Sequence, residues 1–295
     1  MIQGVLIGFL SYALYSSGDA VAKALGASLS VFEVMFLLTL FSLVTIPLAK
    51  PREEEWRDVF RLQRPVLVWV RNIAAVAANL FGIYSFTVLP LAEAYSLIFL
   101  MPAFVTIVSI PVLGEKVGWR RWLAVTIGFI GVLLVVRPGF RELNAGHLAA
   151  VLSAAMSAVS LLTLRMMGQA EKRISLLTTL YLSALVINGV LMLPHLRLPT
   201  WHELGLSVIG GFFAGGGNTF ILLATRLVPA NRVAPTQYSQ ILWAVIFGAL
   251  FFGDFPDPIA FAGMALVVVS GLITLAREEK LHGWWRKTPL LRDRS

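Results

Sequence analysis

The chain has 295 residues with 24 Lys+Arg, 16 Asp+Glu and no Cys. Apolar types make up 58% and charged types 14%, against roughly 25% charged in an ordinary soluble domain. With a mean hydropathy of +0.80, this composition excludes a water-coated globule and a disordered chain, and it points to an integral membrane protein. The missing cysteine removes any disulfide framework, thiolate metal site or thiol nucleophile.

A bilayer core takes about 20 apolar residues per helix. Ten runs of that kind follow one another: 3–23, 31–49, 65–88, 91–113, 119–137, 146–167, 175–194, 204–226, 230–252 and 259–276. Polar, Pro or Gly punctuation separates most of them, as at Lys50–Arg64, Gly114–Gly118, Pro138–Ala145 and Gly253–Pro258. The joins at Pro90 and Pro229 are so short that they demand tight hairpins. The first run has no basic flank or cleavage site and reads as a retained helix. The expected fold is all-α: one membrane bundle of ten transmembrane helices.

Lys and Arg distribution sets the expected orientation. Positives gather on the side of both termini: Lys50, Arg52, Arg57, Arg61 and Arg64, then Lys116, Arg120 and Arg121, then Arg165, Lys172 and Arg173, then Arg226 and Arg232, and finally the tail. The other side holds Lys23, Arg137, Arg141 and Arg197. Both ends are therefore expected in the cytoplasm. The net charge of +8 is a topology signal rather than a nucleic-acid surface. Trp284-Trp285-Arg286-Lys287 is expected at the headgroup layer.

The second half of the sequence echoes the first. At an offset of 139, Asn79-Leu80-Phe81 falls on Asn218-Thr219-Phe220, Pro90 on Pro229, Gly114 on Gly253 and Glu115 on Asp254. At 142, Gly4, Ser11, Ala13 and Lys23 fall on Gly146, Ser153, Ala155 and Arg165. Five spans per half is an odd number, so the halves enter the membrane with opposite sense. Two inverted five-helix repeats, 1–140 and 141–277, followed by a basic tail at 278–295, are therefore expected. Such repeats typify secondary transporters that expose one central site alternately to each face.

At this point the residues resemble a known family. The run Leu89-Pro-Leu-Ala-Glu-Ala-Tyr95, with Gly114-Glu-Lys-Val-Gly-Trp-Arg-Arg-Trp122 and Gly128-Phe-Ile-Gly131, is similar to the EamA family of the drug/metabolite transporter superfamily, over about 3–277. The resemblance implies bacterial inner-membrane carriers that export amino acids and other small metabolites through a cavity between the repeats. It leans to the branch of aromatic amino-acid exporters. Many relatives carry an Arg in the second helix where this chain reads Phe36-Leu37-Leu38-Thr39, so no role of that Arg carries over.

Polar groups at bilayer depth mark candidate sites. Asn79 and Asn218 lie in mid-helix, repeat-equivalent, and can line a cavity or hydrogen-bond between helices. The small run Ala214-Gly215-Gly216-Gly217 permits close approach of a helix or a ligand. Gln237, Tyr238, Gln240 and Trp243 open the ninth helix behind Pro235, with Gln237, Gln240 and Trp243 expected on one face. Their counterparts in the fourth helix, with Phe99, Met101 and Phe104, are apolar, so a pocket polar on one side and apolar on the other is expected. Pro102 and Pro111 are expected to kink or soften the fourth helix.

Four charges are candidates for gating or coupling. Asp19 and Lys23, four apart, are expected to pair locally. Arg71 either snorkels to the surface or faces a vestibule. Glu93 reads as a helix-end charge or as a gate carboxylate. Glu115 and Asp254 read as turn residues. The four histidines, His147, His195, His202 and His282, form no catalytic or metal pattern, and no nucleotide fingerprint is present, so no cofactor or metal is expected. The expected partners are the lipid bilayer and a small-molecule substrate, with a monomer as the working unit. The leading expectation is a secondary carrier of amino acids or related metabolites. A membrane-embedded enzyme acting on lipid or peptide, a channel, and a carrier of another metabolite or drug are the competing readings.

Overall fold

The computed structural model describes residues 2–50, 53–114, 118–137, 142–168, 170–228 and 233–285. Among them the chain is helical and runs through ten spans. These are α1 (Ile2–Leu25), α2 (Val31–Leu48), α3 (Pro65–Val88), α4 (Leu91–Leu113), α5 (Trp119–Val136), α6 (Ala145–Met167), α7 (Arg173–Met192), α8 (Trp201–Leu227), α9 (234–252) and α10 (Pro258–Trp285). Seven are long and apolar enough to cross a bilayer by length and composition alone. Glu115, Pro229, Arg232 and the headgroup segment beyond Trp285 lie outside the described residues. Below, the N face is the one where α1 begins, and the far face is opposite.

Local chemistry fixes the helix starts. Ser30 caps α2 with Glu33 reaching back, Asn144 caps α6 with His147, and Thr200 caps α8 with Glu203, each satisfying amides that a helix end leaves open. Pro65 starts α3, where its missing N–H costs nothing.

The helices pack mainly across the two halves. α1 lies on α8, α3 on α6 and α5 on α10. An exchange of halves turns the first pair into the second and the third into itself. Two hydrogen bonds repeat that relation. Ser11 Oγ donates to the Gly217 carbonyl at 2.7 Å, and Ser153 Oγ donates to the Ala78 carbonyl at 2.8 Å. Ser11 and Ser153 are counterparts at offset 142, and Ala78 and Gly217 at offset 139.

Small residues permit these approaches. A Cβ on Gly131 of α5 would stand 2.7 Å from the Gly263 carbonyl of α10, so neither helix tolerates a larger side chain there. Gly217, in the predicted small run, lies beneath the Tyr15 ring, 3.0 Å from where its Cβ would be.

Two spans are interrupted at matching positions. α4 is an α-helix over Leu91–Ile98, breaks at Phe99–Leu100 and resumes over Met101–Leu113. Pro102 has no N–H to give the Ile98 carbonyl, which fits the expected softening. α9 runs as a 3₁₀ turn over Ala234–Tyr238, an α-helix over Ser239–Phe247 and a π turn over Gly248–Phe252. Phe99–Leu100 and Tyr238–Ser239 are the same positions at offset 139.

Candidate functional site

The two interruptions meet. The rings of Phe99 and Tyr238 lie 5.3 Å apart, tilted by 56°. Phe99 in turn contacts Tyr95 at 5.9 Å, and Tyr95 contacts Phe86 at 5.1 Å. This aromatic row brings the broken turns of α4 and α9 together where the halves join.

A polar chain crosses beside it. The buried Tyr95 hydroxyl donates to the Asp19 carboxylate of α1. It accepts from Gln240 Nε2 of α9 at 3.2 Å and stands 3.5 Å from Ser16 Oγ of α1. One phenol thus joins three spans, using both its donor and acceptor capacities. Sequence reasoning placed Gln240 here and missed Tyr95 and Ser16. The α4 side is therefore not wholly apolar, as was expected: Tyr95 brings a hydroxyl to it.

The local pairing of Asp19 with Lys23 is not formed. Lys23 Nζ instead donates to the Leu89 carbonyl at 2.6 Å and to Asp254 Oδ2 at 3.1 Å, and it lies 5.0 Å from the centre of the Phe252 ring. Lys23 sits one turn nearer the far face, where acceptors reach it from the α3–α4 join and the α9–α10 loop. Asp254 is thus more than a turn residue, because it ties α1 to the α9–α10 loop.

Asn218 Nδ2 of α8 donates to the Tyr181 hydroxyl of α7 at 2.8 Å. Asn79 is exposed, yet it occupies the arc of α3 that buries Asn72, Gly82, Ile83 and Phe86. The lipid-side arc carries the exposed Trp69, Ile73 and Tyr84. Asn79 thus sits at the centre of the inward arc while remaining exposed.

The remaining candidates separate. Gln237 and Tyr238 are half-buried on the 3₁₀ turn. Trp243 stacks on Phe247 at 5.7 Å, which continues to the exposed Phe251. Met101 and Phe104 pack against the cluster of Val105, Ala158 and Leu162 and, like Phe99, against the main core. Arg71 is half-buried, and its Nη1 donates to the Leu176 carbonyl near the start of α7 at 2.9 Å and to Asn72 Oδ1 at 3.2 Å.

On the far face Glu93 Oε1 meets His147 Nε2 at 3.0 Å, joining α4 to α6. Arg137 pairs with Asp257 between α5 and the start of α10. Glu93, Asp254 and Asp257 line a cleft of about 250 Å³ with Pro90, Val135 and Met264. Arg197 pairs with Glu203, and its backbone N–H donates to Glu33 Oε1 at 2.7 Å. On the N face, Glu54 accepts from the amides of Arg173 and Ile174 at 3.0 and 2.7 Å, which caps the start of α7. Lys172 Nζ donates to Asp58 at 2.6 Å, and this bond holds the Asp58 carboxyl below the usual carboxylate range.

Comparison with known proteins places this architecture. The chain is 25% identical over 288 residues to an S-adenosylmethionine uptake transporter of Rickettsia prowazekii, covering 95% of this chain and 94% of that one. It is 28% identical over 248 residues to a riboflavin transporter of Rhizobium johnstonii, covering 82% and 78%. It is 26% identical over 280 residues to a pseudopaline exporter of Pseudomonas aeruginosa, covering 94% and 97%. A solved crystal structure, 18% identical, shares the fold with a TM-score of 0.65 over 95% of this chain and 99% of that one. The sequence pattern of the EamA-like transporter family matches residues 2–137 and again 144–276. The chain is a multi-pass membrane transporter and belongs to the EamA-like transporter family.

Proposed function

We propose that the protein is a secondary carrier working by alternating access, with a substrate that is a small metabolite bearing an amino-acid group. The observation that carries this reading is the meeting of the two interrupted spans at Phe99 and Tyr238, beside the chain Asp19–Tyr95–Gln240. Interrupted helices at a repeat interface are where carriers of this kind hold substrate. In this reading Tyr95, Gln240 and Asn218 serve the polar end, while Phe99, Phe104 and Tyr238 serve the apolar part. Asn79 reaches the same chamber from α3.

Support for an amino-acid group is twofold. Amide and hydroxyl groups both donate and accept, as the two ends of a zwitterion require. S-adenosylmethionine, named for one set of relatives, is itself an α-amino acid with a bulky aromatic substituent. The relatives' names include both uptake and export, and a secondary carrier runs down whichever gradient drives it. Residence in a bacterial inner membrane, cytoplasmic ends and net export belong to this proposal and rest on the Lys/Arg asymmetry.

The experiment is counterflow in proteoliposomes. Purified protein is preloaded in turn with the common amino acids, S-adenosylmethionine and riboflavin, and tracer entry is followed. Saturable, trans-stimulated entry of amino-acid-bearing compounds is expected. Conductance without saturation would mark a channel, chemical turnover without movement would mark an enzyme, and either would overturn the reading.

A further inference from the structure

We propose that Asp19 is a subsite for a positively charged centre of the substrate, an inference that rests on the carrier reading above. Asp19 lies near the far-face third of α1, six residues from its end, or roughly 9 Å along the axis at 1.5 Å per residue. A carboxylate at that depth is costly unless a cation or several donors meet it. The obvious cation is Lys23, and the structure spends it on Leu89, Asp254 and Phe252. Among the described residues no Lys, Arg or His side chain pairs with Asp19. Its hydrogen-bond partner there is the neutral Tyr95 hydroxyl.

The surroundings suit a cation from outside the chain. Tyr12, Tyr15, Ser16 and Asp19 share one face of α1, at spacings of three, four and seven. The rings of Tyr12 and Tyr15 lie 6.0 Å apart. Tyr12, Tyr15 and Asp19 each keep partial exposure although α1 is packed on α8 and α9, and Gly217 covers one face of the Tyr15 ring. A carboxylate flanked by partly exposed phenol rings attracts ammonium or sulfonium groups, through charge and through the uncovered ring faces. At offset 142, Tyr12, Ser16 and Asp19 become Ala154, Ala158 and Leu161, so the second half carries no copy of the feature. The subsite has one orientation within an otherwise paired framework. A bound cation would compete with Tyr95 for the carboxylate and so loosen the tie among α1, α4 and α9.

The test uses matched ligands that differ in one positive charge: phenylalanine against 3-phenylpropanoate, and S-adenosylmethionine against S-adenosylhomocysteine. Binding is read by thermal shift and isothermal titration on purified protein, and flux in proteoliposomes. The wild-type protein should favour the charged member of at least one pair by about tenfold or more. Asp19→Asn should reduce that preference to within about twofold, while Asp19→Glu retains it. Tyr95→Phe, which keeps the carboxylate and removes its competitor, should retain or increase it. The subsite is refuted if Asp19→Asn keeps the wild-type preference, if the wild-type protein shows none, or if it carries riboflavin but neither charged member. The carrier reading survives any of those three results. It falls if no compound moves at all, if conductance shows no saturation or if compounds are turned over without movement, and the subsite falls with it.

Discussion

Phe99 and Tyr238 occupy the same position in the two halves of the chain, and their rings touch at 5.3 Å. Equivalent residues can meet only where the axis relating the halves passes between them. Each also sits where its helix changes character, α to broken turn in one case and 3₁₀ to α in the other. The joint of the molecule is therefore built from its two least regular spans, and irregular backbone at bilayer depth is tolerated where it is covered by protein or lines a cavity.

The Tyr95 hydroxyl ties α1, α4 and α9, so weakening it should change transport before it changes folding. Gln240→Ala is expected to slow saturable counterflow about tenfold, the scale of one lost hydrogen bond in a charge-linked chain. Asn218→Ala and Asn79→Ala should also slow it. Chromatographic yield in detergent checks that folding is intact, and wild-type flux in all three variants would remove these residues from the site.

Lys23 and Asp254 hold α1 to the α9–α10 loop with side chains 13% and 28% exposed. Lys23→Met leaves the carboxylate without its cation and should cost about 1–2 kcal/mol, less than a fully buried pair because water reaches Asp254. Thermal unfolding in detergent measures it. Asp254→Asn should cost less in the Lys23→Met background than alone, and a double-mutant cycle reads that coupling.

Gly131 and Gly263 let α5 and α10 touch backbone to backbone. Gly131→Val should destabilise the protein by about 1–3 kcal/mol through overpacking. Gly205, in α8, has open space where a Cβ would stand, and Gly205→Ala should be neutral or stabilising by up to about 1 kcal/mol. A melting temperature for each variant separates close packing from simple helix propensity.

Asp58 titrates below the ordinary carboxylate value of 3.8 because Lys172 donates to it. A folded-state pKa below the unfolded one means stabilisation that is complete above about pH 5 and fades as pH falls through the folded value. Melting temperature should thus hold steady in this respect from pH 7 to 5 and drop below about 4. Asp58→Asn should lower it at pH 7 and flatten the acid limb. An unchanged acid limb in the variant would sink the assignment.

The ten spans were legible because bilayer depth forces long apolar runs, and the halves were legible because Asn79, Pro90 and Gly114 recur at one offset. Gln240 was legible as a polar residue inside such a run. Tyr95 was not, since an aromatic next to Leu91 and Leu97 reads as packing until Asp19 and Gln240 are brought to its hydroxyl from 76 and 145 positions away. Lys23 was misassigned because spacing along one helix does not reveal a carbonyl and a carboxylate arriving from other spans. The seven-residue interval from Tyr12 to Asp19 was a signal that could have been read from α1 alone.

α1, α3 and α5 rest chiefly on α8, α6 and α10, so the leading spans cannot complete their packing while the ribosome is still making them. During synthesis they must wait in the lipid with glycine-rich flanks uncovered until the trailing spans are inserted. A gene cut in the α5–α6 loop and expressed as two pieces should therefore reassemble, whereas either piece alone should be degraded.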